Sequence, residues 1–265
     1  MDANIFRSLK SYKISCNYLK YQNHQPMEPA ETTKNYLTFG YYSSFIVSAL
    51  TLITFAFAMM AVPPSGPLCE GNCMEYPFPD ILLYYPRDYY WMYLAIFQLF
   101  AFVVFMVTNH AIVNNAKKLF TSLSLSFALI SATVLLITYF TQFSVVPISV
   151  MKGESEGIAL ITQYNDHGLF IAMEELGYIT MSVALFFLAF AFSKNSRAER
   201  ILRTILIVQL ILNLLAFGFF TIQFGIERSY MFEIATITIN WLTLIIAGIM
   251  IGIHYRRTSQ MMFVN

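Results

Sequence analysis

The chain has 265 residues, of which 57% are hydrophobic and only 12% are charged, and its formal net charge is +1. A soluble domain carries about a quarter charged residues, so the composition excludes an ordinary soluble protein. The chain has no basic patch with interleaved aromatic residues, so we expect no nucleic-acid partner.

Residues 1–34 form a polar lead before the first apolar run. Apolar residues recur at helical spacing between Ile5 and Leu19, which predicts either a helix on the inner membrane leaflet or a disordered tail. The sequence from Met27 onward itself resembles a natural N-terminus, and residues 1–26 are then a dispensable extension. We expect no cleavable signal peptide, because the first apolar run is too long and starts too late.

Six long uncharged stretches follow this lead. A helix needs about 20 residues to cross a hydrocarbon core about 30 Å thick. We therefore predict an all-α polytopic membrane protein, in which residues 35–265 form a single six-helix transmembrane domain. The spans are expected at about residues 42–62, 89–110, 119–141, 171–193, 204–225 and 231–254.

Basic residues alternate between the two sides of this predicted bundle. Thirteen of the 16 lysines and arginines fall in the lead, in the second and fourth connections, or in the tail. Because basic residues near spans stay on the cytoplasmic side, both termini are predicted to be cytoplasmic. The expected location is the cell membrane, with the lipid bilayer as partner, while the sequence does not predict an oligomeric state.

The first outer loop is rich in proline and contains Cys69 and Cys73. Thiols outside the cytoplasm tend to be oxidised, so a structural disulfide is predicted. A redox-active pair is the alternative interpretation. Aromatic residues follow from Tyr84 to Tyr93, as a belt at the membrane interface or as a lid over a pocket.

The segment leading into the fourth span contains the most unusual residues. On a helix His167, Glu174 and Tyr178 share one face, and Glu175 lies beside it. Ionisable groups within a bilayer are expensive and usually functional. The alternative is that these glutamates, and Glu233 before the sixth span, lie solvated at the outer interface.

Amide side chains occur within several predicted spans. Such residues either join helices through hydrogen bonds or line a polar pathway. They are Gln98, Gln209, Asn213, Gln223 and Asn240.

One stretch carries a resemblance. Gly153-Glu-Ser-Glu-Gly is followed by Gln163-Tyr-Asn and by His167-Gly-x-Phe-x-x-x-Glu-Glu-Leu-Gly-Tyr. Over roughly residues 80–190 the chain resembles uncharacterised prokaryotic multi-pass membrane proteins. The resemblance implies no established activity.

These observations favour an acidic vestibule that opens to the outside and binds or transports a small cationic or amphipathic solute. The candidates to bind it are Gln142, Gln163, Asn165, Asp166, His167, Glu174, Glu175, Tyr178 and Glu233. One alternative is a membrane enzyme that uses Glu174 or Glu175 as acid/base or metal ligand. His167, Glu174, Glu175 and Glu233 are the weak metal candidates, and no cofactor is predicted. A structural or assembly protein is the third possibility.

Overall fold

The computed structural model describes residues 30–60 and 64–261. By internal packing the chain divides into residues 1–35 and residues 36–265. In the first unit the described residues 30–35 are helical. The helix or tail predicted between Ile5 and Leu19, and the extension before Met27, lie outside the described residues.

Six long helices make up most of the described chain. They are α1 Ala30–Met59, α2 Tyr90–Ile112, α3 Lys118–Ser144, α4 Leu169–Leu188, α5 Arg197–Phe224 and α6 Ser229–Met261. Each of the six regions is long and apolar enough to cross a membrane. The expected all-helical, multi-pass architecture is supported to this extent. Short helices cover Ile81–Tyr84, Val146–Met151 and Ile158–Ile161.

The observed helices extend beyond several of the predicted spans. The first span was expected at 42–62, whereas α1 begins at Ala30 and ends at Met59. The sixth was expected at 231–254, whereas α6 continues to Met261. A span estimate counts only the apolar residues that a bilayer needs, but backbone hydrogen bonding continues into polar flanks.

The connections gather at two ends of the bundle. We call the end that holds residues 64–89, 145–168 and 225–228 the disulfide end, and the opposite end the basic end. At the disulfide end, the Ser65 hydroxyl donates to the Tyr164 carbonyl oxygen at 2.7 Å. At the basic end, Lys117 donates to the Ala191 carbonyl at 2.7 Å and Lys118 donates to the His110 carbonyl at 2.9 Å.

Helices α3 and α4 pack closely because small residues face each other. The hydroxyls of Ser124 and Ser131 donate across the interface to the carbonyls of Ala184 and Gly177, both at 2.7 Å. A side chain at Gly177 would meet the buried Leu135 at 2.5 Å. Small residues and hydroxyl donors are the usual means of bringing helices together in a membrane.

Helices α1 and α6 also meet through small residues. Ser48 of α1 donates to the Ile245 carbonyl at 3.2 Å. A Cβ at Gly248 would lie 2.8 Å from the Ser44 carbonyl oxygen, and one at Gly252 would lie 2.6 Å from the Phe45 ring. The spacing of Gly248 and Gly252 is the GxxxG pattern, which allows helix backbones to approach.

Amide groups join helices α4, α5 and α6. Gln209 donates to the Ser182 carbonyl at 2.7 Å, and the Thr236 hydroxyl donates to Asn213 at 2.6 Å. Ser182 in turn donates to Asn240 at 3.1 Å. For these amides, the contacts match the helix-joining interpretation rather than a polar pathway.

The other two predicted amides behave differently. Gln98 is completely buried, and its side-chain amide has no hydrogen-bond partner among the described residues. Gln223 is exposed on the surface of α5. Neither amide therefore joins helices through a hydrogen bond described here.

The disulfide end carries a small apolar cluster of its own. Its buried members come from both long connections and are Met74, Phe78, Ile81, Val146, Ile158 and Tyr164. Cys69 and Cys73 are bonded, with an S–S distance of 2.11 Å. The two connections thus form a packed cap, and this cap covers one end of the helices.

Candidate ligand-binding site

A cavity of about 400 Å³ lies at the disulfide end, between the helices and the cap. The described residues that line it come from α1, α2, α4 and α6 and from both long connections. They are Phe55, Ala58, Met59, Pro64, Ser65, Leu68, Asp88, Trp91, Gln163, Tyr164, Phe170, Ile171, Tyr230, Glu233, Ile234, Ile237, Thr238 and Trp241. This lining contains two carboxylates and no basic side chain.

Aromatic rings form the deep part of the cavity. Trp241 packs edge-on against Phe55 at 5.6 Å and against Trp91 at 6.4 Å between ring centroids. Trp91 and Trp241 are the only tryptophans of the chain. The cavity therefore has an aromatic floor, and both tryptophans line it.

Asp88 supplies one carboxylate to the cavity. The side chain is only 4% exposed, and its Oδ1 accepts a hydrogen bond from the exposed Arg87 at 2.7 Å. Its Oδ2 is buried and has no donor among the described residues. An unpaired buried carboxylate oxygen is costly, and a bound ligand is one explanation for such a group.

Glu233 supplies the second carboxylate, from the first turns of α6. It lines the cavity and is buried. The Glu174 carboxyl lies behind it, close enough for the two groups to interact through a hydrogen bond when one is protonated. Glu174 does not itself line the cavity.

Two tyrosines hold the Glu174 side chain. The Tyr139 hydroxyl donates to Glu174 Oε1 at 2.6 Å, and the Tyr178 hydroxyl lies 2.8 Å from that of Tyr139. All three side chains are completely buried. The other Glu174 oxygen, Oε2, has no donor among the described residues. The predicted proximity of Glu174 and Tyr178 is present, with Tyr139 of α3 added to it.

Glu175 faces a different neighbour. Arg228, between α5 and α6, donates to Glu175 Oε2 at 2.9 Å and to Oε1 at 3.2 Å. The guanidinium also lies 4.5 Å from the ring centre of Phe217. Glu175 thus belongs to an ion pair that joins α4 to the α5–α6 connection, and it does not line the cavity.

Three of the predicted binding residues organise the cap. Gln142 donates to the Ile161 carbonyl at 2.5 Å and accepts from the Gln163 backbone at 2.9 Å. Asn165 donates to the Ala159 carbonyl at 2.8 Å. Of these three residues only Gln163 lines the cavity, and its buried amide nitrogen lacks an acceptor among the described residues.

Asp166 and His167 lie at the surface, where the His167 Nδ1 is 2.8 Å from Asp166 Oδ1. His167 is 75% exposed and is therefore not part of the buried carboxyl group. Across residues 30–60 and 64–261, no three histidine, cysteine or acidic side chains converge as a metal site requires. Of the four weak metal candidates, Glu174 and Glu233 lie together, whereas Glu175 pairs with Arg228 and His167 lies at the surface beside Asp166.

The sequence did not single out most of the cavity wall. Asp88 is one acidic residue near the start of a predicted span, and Trp91 is one member of the predicted aromatic belt. Of the two interpretations of the aromatic run, the lid over a pocket agrees better with the position of Trp91, which lines the cavity. Trp241 and Phe55 gave no signal at all, since single aromatic residues within apolar runs are common in membrane helices.

Tyr164 also lines the cavity, although it is not among the binding residues predicted from the sequence. It is 4% exposed, and burial raises the pKa of its hydroxyl well above the ordinary value. The hydroxyl is therefore neutral at physiological pH. It lies near the side chains of Tyr89 and Gln163 but forms no well-formed hydrogen bond among the described residues.

No protein family matches this chain, and neither the curated proteins nor the solved structures contain a match. The cavity combines aromatic rings with carboxylates, and this chemistry indicates the class of ligand that it can bind.

Proposed function

We propose that the protein binds a small amphipathic organic cation in the cavity at the disulfide end. The observation that carries this proposal is the pairing of two buried carboxylates, Asp88 and Glu233, with the aromatic floor of Trp91 and Trp241. The carboxylates attract a positive charge, and aromatic rings bind an organic cation through their faces while they cover its apolar part.

No basic side chain lines the described part of the cavity, so no fixed positive charge within the lining itself offsets these two acidic groups. Arg87 reaches one oxygen of Asp88 from the exposed side and leaves the other without a donor. A cationic ligand would supply the missing charge. A desolvated cation over an aromatic face gains about 2 kcal/mol or more, in addition to its attraction to the carboxylates.

We infer that the cavity opens on the outer side of the cell membrane. The basic end carries most of the lysines and arginines, and such residues stay in the cytoplasm. The ligand would then enter from outside. Transport beyond binding would need the floor formed by Phe55, Trp91 and Trp241 to open toward the basic end.

Fluorescence of the two tryptophans provides a direct test. Purified protein in detergent is titrated with benzyltrimethylammonium and, separately, with neopentylbenzene, its neutral isostere. The cation should change the emission in a saturable manner, and it should bind more tightly than the isostere because only the cation compensates the carboxylates. Equal affinity for the two probes would contradict the proposal.

Substitutions of the cavity carboxylates test whether the cation binds in this cavity. The double substitution Asp88→Asn and Glu233→Gln should lower the affinity for the cation at least tenfold, since both attractive charges are removed. Affinity for the neutral isostere should change little. Glu227→Gln serves as the matched control, because Glu227 is an exposed carboxylate at the same end of the bundle.

A further inference from the structure

We propose that the cavity exchanges its cation for a proton, which is shared between Glu233 and Glu174 when the cavity is empty. This inference rests on the proposed cation binding and adds a coupling to protons. It makes the protein a proton-linked cation-binding protein, and the exchange would provide the coupling between proton and cation that antiport requires.

The hydrogen-bond partners of the two Glu174 oxygens indicate where the shared proton lies. Glu174 Oε1 accepts from Tyr139, whereas the buried Oε2 has no donor among the described residues. The Glu233 carboxyl lies within reach of Glu174, and a carboxyl group can donate only when it is protonated. A proton on Glu233 therefore satisfies Glu174 Oε2 and gives Glu174 a donor at each oxygen.

The other titratable groups around the pair leave it without a fixed positive charge. Tyr139 of α3 and Tyr178 of α4 contact Glu174, and Tyr230 of α6 lies near Glu233. Asp88 faces the same cavity from the start of α2. Glu175 is adjacent on α4 but is engaged by Arg228, and no ion pair found within residues 30–60 and 64–261 includes Glu174 or Glu233.

The exchange conserves charge inside the bundle. When empty, the two carboxyl groups carry one proton and one negative charge, because two adjacent buried carboxylates do not both ionise. When the cation enters, the O–H bond of Glu233 breaks and the proton leaves through the cavity to water. The site then holds two carboxylates and one cation, so its net charge is the same as before.

Hydrogen bonds stabilise the Glu174 carboxylate after the proton has left. Its Oε1 keeps the hydrogen bond from Tyr139, and Tyr178 extends that network. Glu233 lines the cavity, where the cation replaces the proton as the compensating positive charge. Glu174 therefore acts as a positioning residue for the proton, and Glu233 is the group that contacts both proton and cation.

The linkage has a definite sign. Protons compete with the cation for Glu233, so raising the pH strengthens cation binding over the range in which the empty pair holds its proton and the cation-bound pair does not. With one proton released per cation, the affinity rises about tenfold per pH unit in that range. Below that range both the empty and the cation-bound pair keep the proton, so binding is weak and no longer changes with pH.

Calorimetric titration with benzyltrimethylammonium in buffers of different ionisation enthalpy measures the protons released on binding. The wild-type protein should release about one proton per cation. Binding of the cation without proton release would overturn this inference and leave the proposed function standing. A complete lack of cation binding would overturn both.

The Glu174→Gln variant distinguishes release of the shared proton from other effects of pH on cation binding. The amide nitrogen of the introduced side chain can donate to Glu233 and so hold it as a carboxylate. Proton release should fall to near zero, and the affinity for the cation should no longer change with pH. Glu227→Gln should release protons as the wild type does, whereas unchanged release in the Glu174→Gln variant would contradict the inference.

Discussion

Glu174 and Glu175 are adjacent in the chain, yet their carboxylates have different partners. Successive residues on a helix are rotated by about 100°, so one side chain faces the bundle interior and the other faces the α5–α6 connection. Glu174 has hydroxyl and carboxyl neighbours, whereas Glu175 has a guanidinium. The removal of one negative charge should therefore destabilise the protein at Glu175 but not at Glu174.

We expect Glu175→Gln to lower the free energy of unfolding by about 1–3 kcal/mol, because Arg228 loses a charged partner in a partly buried place. Glu174→Gln should cause no loss of stability. The amide nitrogen of the new side chain can donate to Glu233, and this hydrogen bond replaces the one that protonated Glu233 donated to Glu174. Thermal unfolding in detergent, followed by circular dichroism, compares the two variants.

A second substitution tests the cause of the Glu175 effect. Combining Glu175→Gln with Arg228→Met removes the unpaired cation and should recover most of the lost stability. Equal destabilisation by Glu174→Gln and Glu175→Gln would contradict this assignment of partners.

At the residue scale the sequence predicted the acidic groups better than their neighbours. Helical spacing predicts Glu174 and Tyr178 on one face, and Glu233 is predicted as a candidate for the same vestibule; the structure places these three side chains near one another. Tyr139 was missed because its contact with Glu174 depends on how α3 packs on α4. His167 was grouped with Glu174 by periodicity, but α4 begins only at Leu169, so that periodicity does not extend to it.

At the scale of helices, the contact between α1 and α6 depends on residues without bulky side chains. Gly248 and Gly252 of α6 face Ser44 and Ser48 of α1, and the Ser48 hydroxyl bonds to the α6 backbone. The sequence contains this pattern, but pattern alone does not identify the partner helix. Apolar runs predict which segments cross the membrane, whereas the fit between helix surfaces determines which helices contact each other.

We predict that Gly248→Ala lowers the free energy of unfolding by about 1–3 kcal/mol, because its methyl group would collide with the Ser44 carbonyl and the Ser48 hydroxyl. Gly218→Ala is the matched control in α5, since a Cβ there meets nothing within 4 Å. This control should be neutral or stabilising by up to about 1 kcal/mol through helix propensity. Thermal unfolding measures both, and equal effects would show that the α1–α6 contact tolerates a wider spacing.

At the scale of the whole molecule, charge is segregated between the two ends of the bundle. Lys117, Lys118, Arg197, Arg200 and Arg203 flank helices at the basic end, whereas the cap and the cavity are predominantly acidic. This arrangement follows from the sequence alone and from the number of helices, because each added span reverses the side on which the next connection lies. An error in the number of spans would have mixed the basic and acidic connections.

The same segregation predicts an orientation in the membrane. Reporter fusions should find the connection at Ser155 outside the cell, and Asn115, Arg197 and Met262 inside, since basic connections resist translocation. Placing lysines in the cap near Ser155 while neutralising the basic residues from Lys194 to Arg203 should weaken this preference and give mixed orientation. Wild-type fusions that report Arg197 outside would contradict both the six-span topology and an outward-facing cavity. A cation supplied from outside would then have no direct access to Asp88 and Glu233, so this measurement also tests the proposed route of the ligand.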